Sequence, residues 1–277
     1  MWEIVRAPEY PEAEAYIRPR EFALCFLSSR LKAGLSPKTN LLAFRRGGEI
    51  QGLVLAERSG FCFPAMENCP PEHDAQLAAT LAALSSRDPG TVSGFPACVS
   101  RLERALGIDA ADGFDYYLLR HPLGRDLPRP EPREEGIAFR LAAPKDLEEI
   151  LPLAIAYEKE EVLSKIHSFD ARATRHGLSH ALAHQLVMVA IKNGKILGKA
   201  QTNARGFGWD QLGGVYVAPE FRGRGIAGAI CSRLVSAVHS QGRSACLFVK
   251  QKNESAIGAY RKINFEFTED FRISYYR

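Results

Sequence analysis

The run Val215-Tyr216-Val217-Ala218-Pro219-Glu220-Phe221-Arg222-Gly223-Arg224-Gly225-Ile226-Ala227-Gly228 holds the densest chemistry in the sequence. A strand-like apolar stretch stops at Pro219, a Gly/Arg turn follows, and a helical pattern starts near Gly225. A helix amino terminus leaves about four backbone N–H groups without internal partners, and with the positive end of the helix dipole they favour an anion. Gly223 and Gly225 permit positive φ and let a phosphate come close, while Arg222 and Arg224 can fork around its oxygens. The unit suits a pyrophosphate; a solvated turn is the plainer alternative. Two other phosphate loops fail. No G-x-x-x-x-G-K-[ST] is present, and no G-x-G-x-x-G lies in a βαβ unit followed by an acidic ribose ligand.

The elements that must hold this run follow from periodicity. Downstream of Pro144 the pattern predicts a helix to about Ala156, with Asp146 in its first turn, then a polar helical region to about Leu186. Strands are expected at Val187–Lys192 and Lys195–Asn203 around an Asn193-Gly194 hairpin turn, and at Gln211–Val217, where Gly213-Gly214 favours a bend or bulge. A long helix from Gly225 to His239 places Ile226, Ile230 and Leu234 on one stripe with Val235 and Val238 beside it. A strand Ala245–Val249, a helix Glu254–Ile263 and a strand near Phe271–Tyr276 complete this half. Upstream the order is similar: a helix around Pro19–Lys32, a hairpin Leu41–Phe44 and Ile50–Ala56, a strand Phe61–Phe63, a helix His73–Leu84, an extended piece Thr91–Phe95, a helix Ala97–Leu106 and a strand at Tyr116–Leu119. The fold class is therefore mixed α/β, with two central mixed sheets flanked by helices, and the repeated order points to a tandem duplication. Four prolines between Pro122 and Gly136 exclude helix and central strand, so residues 122–136 read as a linker between a domain of residues 1–121 and one of 137–277.

Arg222-Gly-Arg-Gly225-Ile-Ala227 matches the R/Q-x-x-G-x-G/A signature of the GNAT superfamily of acyl-CoA-dependent N-acyltransferases. Asn253-Glu-Ser-Ala256-Ile-Gly-Ala-Tyr260-Arg-Lys-Ile-Asn264-Phe265 resembles the family's N-x-x-A-x-x-x-Y-x-x-x-G-F, with Asn264 in place of the glycine. Asn also tolerates the left-handed backbone. The resemblance covers roughly Ile137 to Arg277, and the first half resembles a degenerate copy without the Arg/Gly loop. It implies acetyl-CoA as co-substrate, with Val215, Tyr216 and Val217 beside the pantetheine arm between two splayed strands and the pyrophosphate on residues 222–228. It also implies that Asn253 bonds the cofactor or a carbonyl, a role compatible with capping the helix that follows. Tyr260 would be the acid that protonates the departing thiolate, a phenol that keeps its proton at neutral pH. Direct attack by an amine is implied, with no covalent enzyme intermediate.

The base is less legible. Glu158 and Glu161 share a helix face in Tyr157-Glu-Lys-Glu-Glu-Val162, in the region that by resemblance covers the acceptor, and are the candidates for holding or deprotonating a cationic amine. Glu160 and Asp210 are further carboxylates of the same kind. His176, His180 and His184 recur at i, i+4, i+8 with no acidic third ligand beside them, so they read as a polar helix surface and no metal is expected.

Composition bounds the remaining readings. The 277 residues are 46% apolar and 25% charged, with 36 Lys+Arg against 32 Asp+Glu, an ordinary globular balance. Residues 1–135 carry a net −3 and residues 136–277 a net +7, which favours an anionic ligand in the second half. Basic blocks interleaved with aromatics are absent, which speaks against nucleic acid. No apolar run reaches a membrane-spanning length and the first residues lack a secretion-signal layout, so a cytoplasmic protein is expected. Six dispersed cysteines without a C-x-x-C pair read as reduced core thiols. The function expected is acetyl transfer to a primary amine of a small molecule or protein. A non-catalytic acyl-CoA sensor, and an acyl- or aminoacyl-transferase using another donor, stand as alternatives.

Overall fold

The computed structural model describes residues 1–84 and 88–277, which divide into two compact units. The first comprises Met1–Tyr116, Ser164–Ile166 and Asp270–Arg277; the second comprises Tyr117–Leu163 and His167–Glu269. In chain order the elements are β1 (Trp2–Ile4), α1 (Tyr10–Ile17), α2 (Cys25–Ala33), β2 (Thr39–Arg46), β3 (Glu49–Glu57), β4 (Phe61–Ala65), α3 (Asp74–Leu84), β5 (Thr91–Gly94), α4 (Pro96–Leu106) and β6 (Asp112–His121). There follow β7 (Ala138–Leu141), α5 (Leu147–Tyr157), α6 (Ala171–His184), β8 (Val187–Lys192), β9 (Lys195–Arg205), β10 (Trp209–Val217), α7 (Ile226–His239), β11 (Ser244–Lys250), α8 (Glu254–Lys262) and β12 (Glu266–Tyr275).

The second unit orders its strands β12-β6-β11-β10-β9-β8-β7. β7, β8, β9 and β10 pair antiparallel in succession, and β10 pairs β11 in parallel. The hairpin β8–β9 turns on Asn193 (φ 49°) and Gly194 (φ 76°), two residue types that tolerate the left-handed backbone. Helix α7 covers this sheet because Ile226, Ile230, Leu234, Val235 and Val238 all face inward and are buried with Leu212 and Leu247. Residues 122–136 form neither helix nor strand and lie along α7: Ser232 Oγ donates to Pro128 O (2.7 Å), Arg233 pairs with Glu131 (2.6 Å), and Arg133 N donates to Arg224 O (2.9 Å).

The first unit repeats the plan, β1, β2, β3 and β4 antiparallel and then β4 parallel to β5. In each unit the strand beside the parallel pair comes from the other half of the chain, β12 next to β5 and β6 next to β11. Where α7 starts with a glycine turn, α3 is preceded by Pro70-Pro71, and Arg101 fills that end, donating to the carbonyls of Met66 and Pro70 and pairing with Asp74. Strand β1 and helix α1 were not foreseen by the periodicity reading, since three strand residues and an eight-residue helix are too short to show a period.

Candidate functional site

The parallel pairing of β10 and β11 runs only from Trp209↔Ser244 to Leu212↔Leu247. Beyond Leu247 the strands separate, and β10 also changes register against β9 between Gly213 and Tyr216. Gly214, at φ 59°, forms the bulge there. Gly214 and Val215 thus have no ladder partner in β9 or β11 among the described residues, which places main-chain hydrogen-bonding groups in the gap between two splayed strands. Backbone groups left over in this way need partners from side chains, water or a ligand. Val215 is half-buried, Tyr216 and Val217 buried.

The turn after β10 positions the phosphate-type loop. Gly223 (φ 75°) and Gly225 (φ 81°) both take the left-handed conformation, and Gly225 is the N-cap of α7 with no side-chain cap. The first helical bond is Ala229 N to Gly225 O (3.1 Å), so the N–H groups of Ile226, Ala227 and Gly228 lie upstream of it. Nothing lies within 4 Å of a side chain built at Gly223, while Gly225 and Gly228 approach Pro132 and Pro130 of the segment along α7.

Both loop arginines are held by carboxylates. Arg222 makes a two-pronged pair with Glu160 (2.7 and 2.8 Å), donates from Nε to Val217 O (3.0 Å), and stacks 5.0 Å from the Tyr216 ring, whose hydroxyl donates to the same Glu160 (2.9 Å). The Arg222 guanidinium draws the Glu160 pKa below its ordinary value. Arg224 pairs with Glu134, which also binds Lys192 (2.8 Å). Both guanidinium groups nonetheless stay partly exposed, each side chain at 42%, beside the main chain of Gly223 and Gly225.

The acidic stretch 158–162 forms a π-helical turn continuing α5. Burial raises the Glu158 pKa, with Lys199 acting against it. Lys199 on β9 is only 2% exposed; its ammonium donates to Gly214 O (2.9 Å) and Gln201 Oε1 (3.1 Å) and lies 5.2 Å from the Tyr157 ring. Burial pulls its pKa down to about 8, opposed by Glu158. Glu161 faces Lys250, at the end of β11 (3.6 Å). Tyr260 is buried on α8, edge-on to Phe265, and burial, together with the nearby Cys231, Tyr157 and Glu161, pushes its phenol well above the ordinary value. Asn253 caps α8, accepting from Ala256 N (3.1 Å). Asn264 takes the left-handed backbone (φ 63°) after α8.

Tyr157, Glu158, Lys199 and Gly214 are thus one neighbourhood, with Tyr216, Glu160 and Arg222 a second one built on the same strand. Sequence reasoning passed over Lys199. Its signal was a lysine inside the apolar run Ile196-Leu197-Gly198-Lys199-Ala200, where a charge is rarely buried without a partner. Asp210 sits at the other, paired end of β10, fully buried between Arg205 (3.0 Å) and Arg243 (2.6 Å), a structural carboxylate. His176, His180 and His184 lie on α6, the last two with rings 4.6 Å apart. All six cysteines are buried thiols, and burial pushes Cys231 up to about 12.

Residues 151–265 match the acetyltransferase (GNAT) family. An acetyltransferase of Pectobacterium atrosepticum is 38% identical over 85 residues, 29% of this chain and 57% of that protein, and one of Yersinia pestis is 34% identical over 90 residues, 31% and 60%. The chain thus spans little more than half the length of these relatives. Over its full length its fold is similar to a GNAT-family acetyltransferase from Colwellia psychrerythraea (TM-score 0.58, 14% identity, all of both chains). A tandem GNAT protein from the clavulanic acid biosynthesis pathway is similar to the same degree (TM-score 0.58, 12% identity, 99% of this chain and 98% of that one). Residues 151–265 are thus similar to the GNAT acetyltransferase family, and the fold of the chain is similar to that of a tandem GNAT protein.

Proposed function

We propose that the second unit transfers an acetyl group from acetyl-CoA to an amine. The observation that carries this reading is the conjunction, on one strand–turn–helix, of the β10–β11 splay, the Gly214 bulge and the uncapped start of α7. An extended amide chain can bond the main chain of Val215, which no ladder among the described residues pairs, and a diphosphate can take the N–H groups of residues 226–228. Acetyl-CoA supplies an activated acyl carbon. The amine nitrogen forms a bond to that carbon, the C–S bond breaks, the sulfur departs with the electron pair and takes a proton, and the ammonium gives one up.

The chain's own residues serve these steps as follows. Tyr260, its pKa raised by burial, holds a proton at every physiological pH and is the donor to sulfur. Glu158, half-buried with a raised pKa, is placed to accept a proton from the amine, and Glu161 adds negative charge to the same turn. Arg222 acts through Glu160 and Tyr216, tying the acidic turn to the cofactor loop. The first unit, which has no cofactor loop among its described residues, serves as a scaffold. The acceptor is a small-molecule or protein amine, and the place of action is the cytoplasm; no helix among the described residues is long and apolar enough to cross a membrane.

The test is a thiol-release assay with acetyl-CoA and a panel of amines covering polyamines, amino acids and lysine peptides. At least one amine raises release above the amine-free rate in the native protein, and Tyr260→Phe lowers that rate without changing acetyl-CoA affinity. A panel in which no amine exceeds the background, by a protein that binds acetyl-CoA, would leave the non-catalytic sensor as the better reading.

A further inference from the structure

We infer that Lys199 is a positioning residue of the acyl-transfer site: by holding the Gly214 carbonyl, it fixes the β10 bulge so that the neighbouring main-chain N–H groups meet the acyl oxygen. This rests on the acetyltransferase reading above and adds to it a residue that neither family motif contains.

The argument starts from what the bulge leaves unpaired. Gly213 pairs with Gln201 and Tyr216 with Lys199, so Gly214 and Val215 are skipped by β9, and β11 has already diverged at Leu247. A peptide unit free on both sides can rotate, because no ladder bond fixes its plane. Here one bond does fix it, the Lys199 ammonium to Gly214 O at 2.9 Å. A peptide whose carbonyl is held has its plane set, and with it the direction of the next N–H, that of Val215. Charge-assisted bonds are the shorter and stronger kind, so a lysine is an effective clamp.

The ammonium is itself over-determined. Gln201 Oε1 accepts from it at 3.1 Å, the Tyr157 ring faces it at 5.2 Å, and Glu158 supplies the counter-charge from the turn after α5. Burying a lysine is costly unless it is paired, which makes an incidental lysine here a poor choice over a hydrophobic residue of similar volume. The depressed pKa of about 8 follows from the same burial. A donor whose bond to the acyl oxygen strengthens as charge develops there in the transition state raises turnover far more than it tightens ground-state binding. The clamp therefore belongs to the rate and not to the affinity.

The experiment is isotope-edited infrared spectroscopy of carbonyl-labelled acetyl-CoA bound to the native protein and to Lys199→Met, with calorimetric affinities and amine-free hydrolysis rates measured alongside. Hydrolysis forms the water-oxygen bond to the acyl carbon, breaks C–S, and yields acetate and the CoA thiol. A held N–H lowers the carbonyl stretch of the native complex. In Lys199→Met that lowering is lost, acetyl-CoA affinity stays within about twofold, and the rate falls about 10–100-fold, less than the roughly 100–1,000-fold of removing such a donor outright because the N–H remains and only its orientation is lost. Lys199→Gln, which keeps an N–H donor on a shorter stem, gives an intermediate stretch and rate, and supplies the same readings if Lys199→Met does not fold. A stretch and rate equal to native in the variants would overturn the assignment, as would weakened affinity with an unchanged stretch, which marks a structural role only. Failure of the native protein to bind acetyl-CoA would remove the acetyltransferase reading itself, a result distinct from either.

Discussion

Gly214→Ala probes the bulge most sharply, and its cost can be worked from the geometry. The residue sits at φ 59°, where an alanine loses about 1–2 kcal/mol relative to glycine. A β-carbon there would come within 2.9 Å of both Lys199 Nζ and Gln201 Cγ, so the lysine must leave the Gly214 carbonyl. Losing a hydrogen bond to a charged group adds roughly 1.5–3 kcal/mol, for a total of about 2–4 kcal/mol once partial relaxation is allowed. Gly213→Ala is the control. Gly213 does not have positive φ, and its added methyl first meets the end of the Asn203 side chain, which can turn away at the cost of the long bond it accepts from Gln201 (3.3 Å). Urea unfolding reads the stability, and acetyl-CoA hydrolysis reads the site. Gly214→Ala should lower the midpoint and the rate together, with Gly213→Ala near native in both. If the two variants lose the same stability, or if Gly214→Ala keeps full turnover, the strained bulge and its lysine clamp are not what shapes the site.

Other expectations follow from single contacts. Tyr260→Phe should lower amine-dependent turnover by about 100-fold, at the lower end for a general acid, with acetyl-CoA affinity unchanged by calorimetry. Glu134→Gln frees Arg224 from a carboxylate and should tighten acetyl-CoA binding up to about fivefold at low salt, an effect that added salt removes; unchanged or weaker binding would show that Arg224 does not reach the phosphates. Asp146, whose side chain is 6% exposed, accepts from Arg140 (2.6 and 2.9 Å) and from Ala143 N (2.7 Å), and the Arg140 guanidinium draws its pKa to about 2. A carboxylate depressed from its ordinary 3.8 stabilises the fold fully above about pH 5, and that contribution is lost as pH falls through 2. The shift corresponds to roughly 1–2 kcal/mol after discounting for the half-exposed Arg140, so Asp146→Asn should be less stable than native by that amount at pH 7, with the difference shrinking below about pH 4 and gone only below about pH 2.

Local chemistry made much of the second unit legible. Asn193-Gly194, Gly223 and Gly225 were readable as turns because few residues tolerate positive φ, and each adopts it. The stripe on α7 was readable because a 3.6-residue period survives when one face must be buried. Gly213-Gly214 announced a bulge, and the register of β10 changes there. The pairings that organise the site were not readable, since they join residues far apart in sequence. Arg222 was readable as part of a phosphate loop, but not its pair with Glu160, 62 positions upstream. Lys199 and Glu158 meet only because β9 and the turn after α5 fold onto β10. In the first unit α1 escaped notice for want of length, and β12 was read only from Phe271 because Glu266–Asp270 mixes charges into a strand whose two parts lie in different units.

Calorimetric titration with acetyl-CoA, native protein against Ala227→Glu, tests the central claim most directly. Ala227 lies in the first turn of α7, where a carboxylate stabilises the helix by about 0.3–1 kcal/mol through the dipole but repels a diphosphate. The account predicts one acetyl-CoA per chain with a Kd of order micromolar, lost in a variant that still unfolds cooperatively, Ala227 being packed partly against the core. Equal binding by both proteins, or none by the native one, would contradict it.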